Sequence, residues 1–192
     1  MSAESFNVLA ICGSPRAESY NKKLLNFALA RLNGLGVKSS TIEITNDKLP
    51  VFYPGIPVSK KTGELVDDLR NKVRTCNGVI ICTPQVNGSI PPFLKNIIDW
   101  TTMPFERECA NGVFKTKLVC LLGAAEGNST CLGGLAHLAT VFGHLGAVVV
   151  PKFYGVNRVE TLFSSSGDIS DAKTADGLQK YLESFSLLLK KF

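Results

Sequence analysis

Residues 13–21 read Gly-Ser-Pro-Arg-Ala-Glu-Ser-Tyr-Asn, a set of types suited to holding an anion. Ser14, Ser19 and Asn21 carry short side-chain donors, and Arg16 carries a planar cationic fork that matches phosphate oxygens. Gly13 permits a tight turn after an apolar run, and the helix that begins near Tyr20 points its free N–H groups at the same spot. No Gly-Lys-Ser/Thr follows the glycine and no G-x-G-x-x-G is present. Neither motif that cradles a chain of phosphates therefore fits, and one phosphate monoester is the better-matched guest. Two readings stay open on these residues alone. The loop is an anion cradle, which Arg16 favours, or a strand-to-helix turn in which Ser19 is only an N-cap. Glu18 is expected to face solvent.

Two further segments share the small, polar character of the first. Residues 83–92 carry Pro84, Gln85, Val86, the turn signal Asn87-Gly88, Ser89 and two further prolines. Exposed backbone N–H and C=O groups there suit the edge of a planar heterocycle, or a bare turn. Residues 123–134 open with Gly123, Ala124 and Ala125 and close with Gly133-Gly134. Their small side chains allow close approach of a flat ring, and a flexible surface loop is the alternative. Cys131 is the thiol placed in this group, and it reads as non-catalytic.

The elements that must bring the three segments together follow from hydrophobic spacing. Apolar runs at 6–12, 78–82, 117–122 and 147–150, and a more alternating run at 37–44, read as strands. Between them, 20–33, 65–73 (with Thr62 as cap), 92–100 and a segment around 135–142 carry apolar residues at helical spacing. A last helix follows residue 170. Residues 48–61 form a proline-bearing loop, and the Ser/Gly-rich 161–171 reads as a mobile connection. Strands alternating with helices predict an α/β fold with a parallel sheet. Five strands predict three layers and the doubly wound, flavodoxin-like order 2-1-3-4-5, over one domain spanning 1–192. In such a sheet ligands bind beyond the C-terminal strand ends at the switch point between strands one and three, where all three segments would lie.

Composition narrows the class. The chain has 192 residues, 45% hydrophobic and 19% charged, enough for a full core. Its net charge of +5 is mild and its lysines are scattered, unlike the dense basic stripe of a nucleic-acid surface. No run is long enough for a membrane span, and the N-terminus lacks a signal-peptide pattern. The cytoplasm is the expected location, with the six cysteines as reduced thiols. No CxxC spacing occurs and the two histidines lack acidic partners, so no metal site is expected.

The residues also carry a resemblance. Gly13, Ser14, Arg16, Ser19 and Asn21 resemble the G-S-x-R-x-x-S-x-N phosphate loop of the NADPH-dependent FMN reductase family, flavodoxin-like proteins that include quinone, azo-dye and chromate reductases. The segment from Pro84 through Asn87, Gly88, Ser89, Ile90, Pro91, Leu94, Lys95, Asn96, Ile98 and Asp99 to Trp100 is similar to the family's P-E-Y-N-G-S-I-P-x-x-L-K-N-x-I-D-W. Gly133-Gly134 and Leu49-Pro50 are also similar, and the resemblance covers about the first 155 residues. It implies bound FMN, held by Ser14, Arg16, Ser19, Tyr20 and Asn21 at the phosphate. Pro84 to Ser89 and Gly123 to Ala125 would stand near its ring. It implies hydride transfer from NADPH, with NADH also possible, through FMN to a quinone, azo compound, metal oxyanion or free flavin. It implies a homodimer or homotetramer whose second subunit helps wall the site, with the 92–100 helix as interface material or, more simply, as core. The sequence departs at Gln85 and Val86, where the family has Glu and Tyr; the change removes a stacking or edge contact to the ring. An electron carrier or an FMN-binding redox sensor with little turnover is the alternative. Carriers of this kind are typically acidic, and the positive charge argues against that.

Overall fold

The structure is a computed structural model and describes residues 6–42, 49–102, 112–164 and 167–192. Its elements run β1 (Phe6–Cys12), α1 (Tyr20–Gly34), β2 (Val37–Thr41), α2 (Lys60–Thr75), β3 (Gly78–Cys82), α3 (Pro92–Thr102), β4 (Leu118–Ala124), α4 (Leu132–His144), β5 (Val148–Val149), β6 (Tyr154–Val156) and α5 (Ala172–Leu189). The central path of the sheet is β2-β1-β3-β4-β5, and every pairing is parallel. The doubly wound order expected from the alternating pattern is the order found. The expected end of the second strand, beyond Ile42, lies outside the described residues.

The strands are near-continuous apolar runs because both faces are covered. One face (Val8, Ala10, Ile80, Cys82, Cys120, Leu122) packs on α1 and α5 through Leu24, Ala28, Leu178, Leu182 and Phe185. The other (Leu9, Ile11, Val79, Ile81, Val119, Leu121) packs on α2, α3 and α4 through Val73, Leu94, Ile98, Leu135, Leu138 and Phe142. The result is three layers.

Three expectations need correction. The fifth strand does not run unbroken over 147–150: it stops at Val149 and resumes at Tyr154, giving six strands. Both pieces pair with β4. Between the pairs Val119–Val149 and Leu122–Tyr154, β4 uses two residues and the edge strand four. Pro151, which has no N–H to give a ladder, and Lys152, at φ 65°, occupy the break. Helix α2 is capped by Ser59, whose Oγ accepts the Thr62 N–H at 3.1 Å; Thr62 is its partner, not the cap. The segment 161–171 is anchored where it is described. Leu162 and Ile169 are buried, Phe163 and Ile169 form an antiparallel bridge, and Phe163 stacks on Tyr20 with ring centroids 6.5 Å apart.

The 92–102 helix is tied to the loop after β2. Asn96 Oδ1 accepts the Phe52 N–H at 2.8 Å, and Asn96 Nδ2 and Trp100 Nε1 donate to Pro50 O at 3.0 and 2.7 Å. The apolar residues Leu94, Ile97, Ile98 and Trp100 are all buried in the chain's own core. No described helix is long and apolar enough to cross a membrane.

Candidate functional site

The C-terminal ends of β1, β3 and β4 meet around one cleft of about 200 Å³. Ser14, Arg16, Ser19, Tyr20, Asn21, Pro84, Gln85, Ala124, Ala125 and Glu126 line it. All five expected residues of the first loop are here, with Pro84 and Gln85 from the second segment and Ala124, Ala125 and Glu126 from the third. Val86, Asn87, Gly88 and Ser89 stand outside this lining. They form a tight hairpin in which Val86 and Ser89 exchange both backbone hydrogen bonds, at 3.1 and 2.9 Å. Asn87 and Gly88 both have positive φ, 48° and 78°, the geometry that makes Asn-Gly the favoured two-residue turn. Gly123 also stands outside the lining. It lies within β4 instead of opening the third loop, and a Cβ there would come within 2.8 Å of Cys131 Cβ and 3.1 Å of Thr83 O.

Two details of the first loop go beyond what its residue types reveal. Gly13 does not adopt a positive φ; its N–H donates to Cys82 O at 2.8 Å, and a Cβ there would overlap the Thr83 side chain. The glycine is needed for close approach of two strand ends. Asn21 is almost fully buried. Its Nδ2 donates to Ala124 O and its Oδ1 accepts the Ala124 N–H, both at 2.9 Å, and the Cys82 thiol donates to the same Oδ1 at 3.4 Å. This side chain therefore clamps the first turn of α1 to the end of β4.

Ser19 is the N-cap of α1, its Oγ accepting the Lys22 N–H at 3.4 Å. The cap uses only the Lys22 N–H, so it does not occupy the N–H groups at the very start of the helix. Arg16 is exposed and makes no ion pair among the described residues. Its guanidinium is thus available to a ligand.

Gln85 and the glycine pair have linked roles. Gln85 Oε1 accepts the Gly134 N–H at 2.8 Å, and Ser89 Oγ bonds His137 Nδ1 at 2.9 Å. Helix α4 begins at Leu132, so Gly133 and Gly134 belong to its first turn. A Cβ on Gly133 would stand 3.1 Å from Gly88 O, and one on Gly134 3.0 Å from Ser89 O. The glycines let the second loop lie on the helix. Glu126 in the cleft wall and His137 beneath the hairpin carried no signal in the sequence, since neither sits in a recognisable motif.

The thiols nearby do not form a nucleophilic centre. Burial pushes the Cys12 and Cys131 thiols up, and Cys82, fully enclosed, well above the ordinary value. A protonated thiol is a poor nucleophile. Among the described residues no group of three or more His, Cys, Asp or Glu could hold a metal ion. The arrangement can bind an anion, cap helices and exclude water, while electron-transfer chemistry must come from a bound group.

Residues 6–161 match the model of the family described as NADPH-dependent FMN reductase. The chain belongs to that family. A quinone reductase of Pseudomonas putida is 27% identical over 193 residues, covering 98% of this chain and 97% of the relative. An NAD(P)H:quinone oxidoreductase of Solanum tuberosum is 28% identical, covering 96% and 93%. Among solved structures, the flavoenzyme NAD(P)H:(acceptor) oxidoreductase FerB of Paracoccus denitrificans is similar at a TM-score of 0.80 and 26% identity, covering 97% of this chain and 98% of that one. A flavodoxin from the domain Archaea, at 7% identity and a TM-score of 0.61, shares the fold. This FMN reductase family member is therefore an enzyme of the NAD(P)H-dependent FMN reductase and quinone reductase type.

Proposed function

We propose that the cleft holds FMN by its phosphate and that the enzyme, a single domain, couples NADPH oxidation to reduction of a quinone. NADH, azo compounds, metal oxyanions and free flavin are the further reactants of the same class. The observation that carries this reading is Arg16, which makes no ion pair among the described residues, beside the N-terminus of α1 in a cleft whose other walls come from the β3 and β4 loops. When bound, FMN supplies the hydride-accepting and hydride-donating chemistry.

The chain's own residues do the rest. Arg16 neutralises the phosphate and fixes it with a forked contact. Ser14 and Ser19 offer hydroxyls, and the first turn of α1 adds N–H groups and a favourable dipole. Asn21 holds the Ala124 peptide in place, so that the β4 wall keeps its distance from the phosphate loop. At about 200 Å³ the cleft is smaller than the roughly 300–1,000 Å³ of a pocket that encloses a drug-sized ligand. The cleft suits the phosphate and its sugar-alcohol chain. The second loop and the surface beside it would receive the remainder of the cofactor, where donor and acceptor could exchange.

A second copy of the chain is proposed to cover that surface. Helix α4 has no Asp, Glu, Lys or Arg in its 13 residues and exposes Leu132, whereas Leu94, Ile97, Ile98 and Trp100 of α3 are already buried. A homodimer built on α4 would continue the wall beside the second loop.

The test is anaerobic. The purified protein, loaded with FMN, is mixed with NADPH and its visible spectrum recorded, then a quinone is added. Bleaching of the flavin followed by recovery with quinone is expected. A yellow protein that NADPH cannot bleach would contradict the reductase reading and favour a carrier or sensor.

A further inference from the structure

The first turn of α4 has no cap of its own. Its N-cap residue, Cys131, is held in the left-handed region at φ 58° and makes no side-chain cap hydrogen bond. The N–H of Gly134, the third helical residue, would normally be taken by that side chain. It donates instead to Gln85 Oε1 at 2.8 Å, from a different loop that also borders the cleft. The contact is closely fitted, since a Cβ on Gly133 would stand 3.1 Å from the same oxygen.

For this job a carboxylate is the stronger group. A charge-assisted hydrogen bond is roughly twice as strong as a neutral one, and a negative charge is favoured at a helix N-terminus. A glutamate caps in the same way with a similar side chain. What glutamine contributes is the absence of charge. The cleft wall already contains Glu126. A further carboxylate would oppose the gain of electrons by any group bound there.

Resting on the reading that this cleft holds FMN, we propose that Gln85 is a positioning residue that also sets the potential of the cofactor. It fixes the second loop on α4 while adding no negative charge to the site. The fold gives up some stability, and the bound flavin is easier to reduce than it would be beside a carboxylate.

The experiment uses Gln85→Glu and Gln85→Leu in the full chain, with two readouts. The first is the melting temperature of the FMN-free protein. Gln85→Glu is expected to melt above wild type at neutral pH, with the gain lost as the new carboxylate is protonated at acid pH. Gln85→Leu, which leaves the Gly134 N–H unsatisfied, is expected to melt below it. The second readout is the two-electron midpoint potential of the FMN-loaded protein against reference dyes. Gln85→Glu is expected to change the ratio of oxidised to reduced affinity about tenfold, a fall of about 30 mV, with Gln85→Leu closer to wild type. A Gln85→Glu variant that melts at or below wild type overturns the capping role. A potential that corresponds to less than a twofold change in that ratio overturns the electrostatic role. Failure of wild type to take up FMN would sink the functional reading and the potential-setting half together, while the FMN-free melting data would still judge the cap.

Discussion

Asn21 shapes the cleft through a backbone it meets only in the folded chain. Both ends of its carboxamide are bonded to Ala124, 103 residues away in sequence. Leucine at this position would fill a similar volume but leave a buried N–H and C=O unpaired. Each orphaned group costs about 1–3 kcal/mol. With two groups orphaned, Asn21→Leu should lower the unfolding free energy by about 2–6 kcal/mol, read as a fall in the denaturant midpoint, and FMN affinity should fall with it. An unchanged midpoint would show that the clamp is dispensable. This residue also marks the limit of what the sequence alone makes legible. Ser14, Arg16 and Ser19 can be read locally, because phosphate chemistry needs donors and a cation close together. The partner of Asn21, the Thr83 side chain that makes Gly13 necessary, and the Gly134 N–H that Gln85 accepts all arrive from elsewhere in the chain. None leaves a mark on the neighbouring residues.

Elements were legible where their signals were local. β1 and β3 follow from unbroken apolar runs, and the hairpin at 86–89 from Asn87-Gly88. The edge strand was not, because its interruption depends on where Pro151 falls against β4, a matter of register between distant segments. The Ser/Gly composition of 161–171 suggested a free connection, yet Leu162 and Ile169 bury there and Phe163 reaches Tyr20. Just beyond, Asp171 caps α5 by accepting the Thr174 N–H at 2.7 Å. Its hydrogen bonds to Thr174 hold its carboxyl below the ordinary value of 3.8. A carboxyl whose value is lowered by folding stabilises the fold above its unfolded value, and that stability is lost as pH falls through the lower folded value. Asp171→Ala should therefore lower the melting temperature at pH 7 and lose its effect once the pH is below the folded value. A difference between variant and wild type that stays constant across this range would contradict the cap.

The whole molecule brings three loops to one edge of a parallel sheet, and the fold makes that convergence unavoidable. Strand order places the ends of β1, β3 and β4 side by side. Alternating strands and helices were enough to foresee it. The outer face of α4, which carries no Asp, Glu, Lys or Arg, was harder to interpret, since a single chain does not show what covers it. Sedimentation should give twice the 20.7 kDa chain mass, and Leu132→Lys should shift the population toward monomer. A wild-type monomer at micromolar concentration would contradict a dimer built on α4. The phosphate site is tested most directly by comparing FMN with riboflavin on wild type and Arg16→Ala. A lost hydrogen bond to a charged group is worth about 1.5–3 kcal/mol, on the order of tenfold to a hundredfold in affinity. FMN binding should weaken by that factor while riboflavin, which has no phosphate, binds wild type and variant alike. Equal losses for the two flavins, or no loss for FMN, would contradict the claim that this loop holds the cofactor by its phosphate.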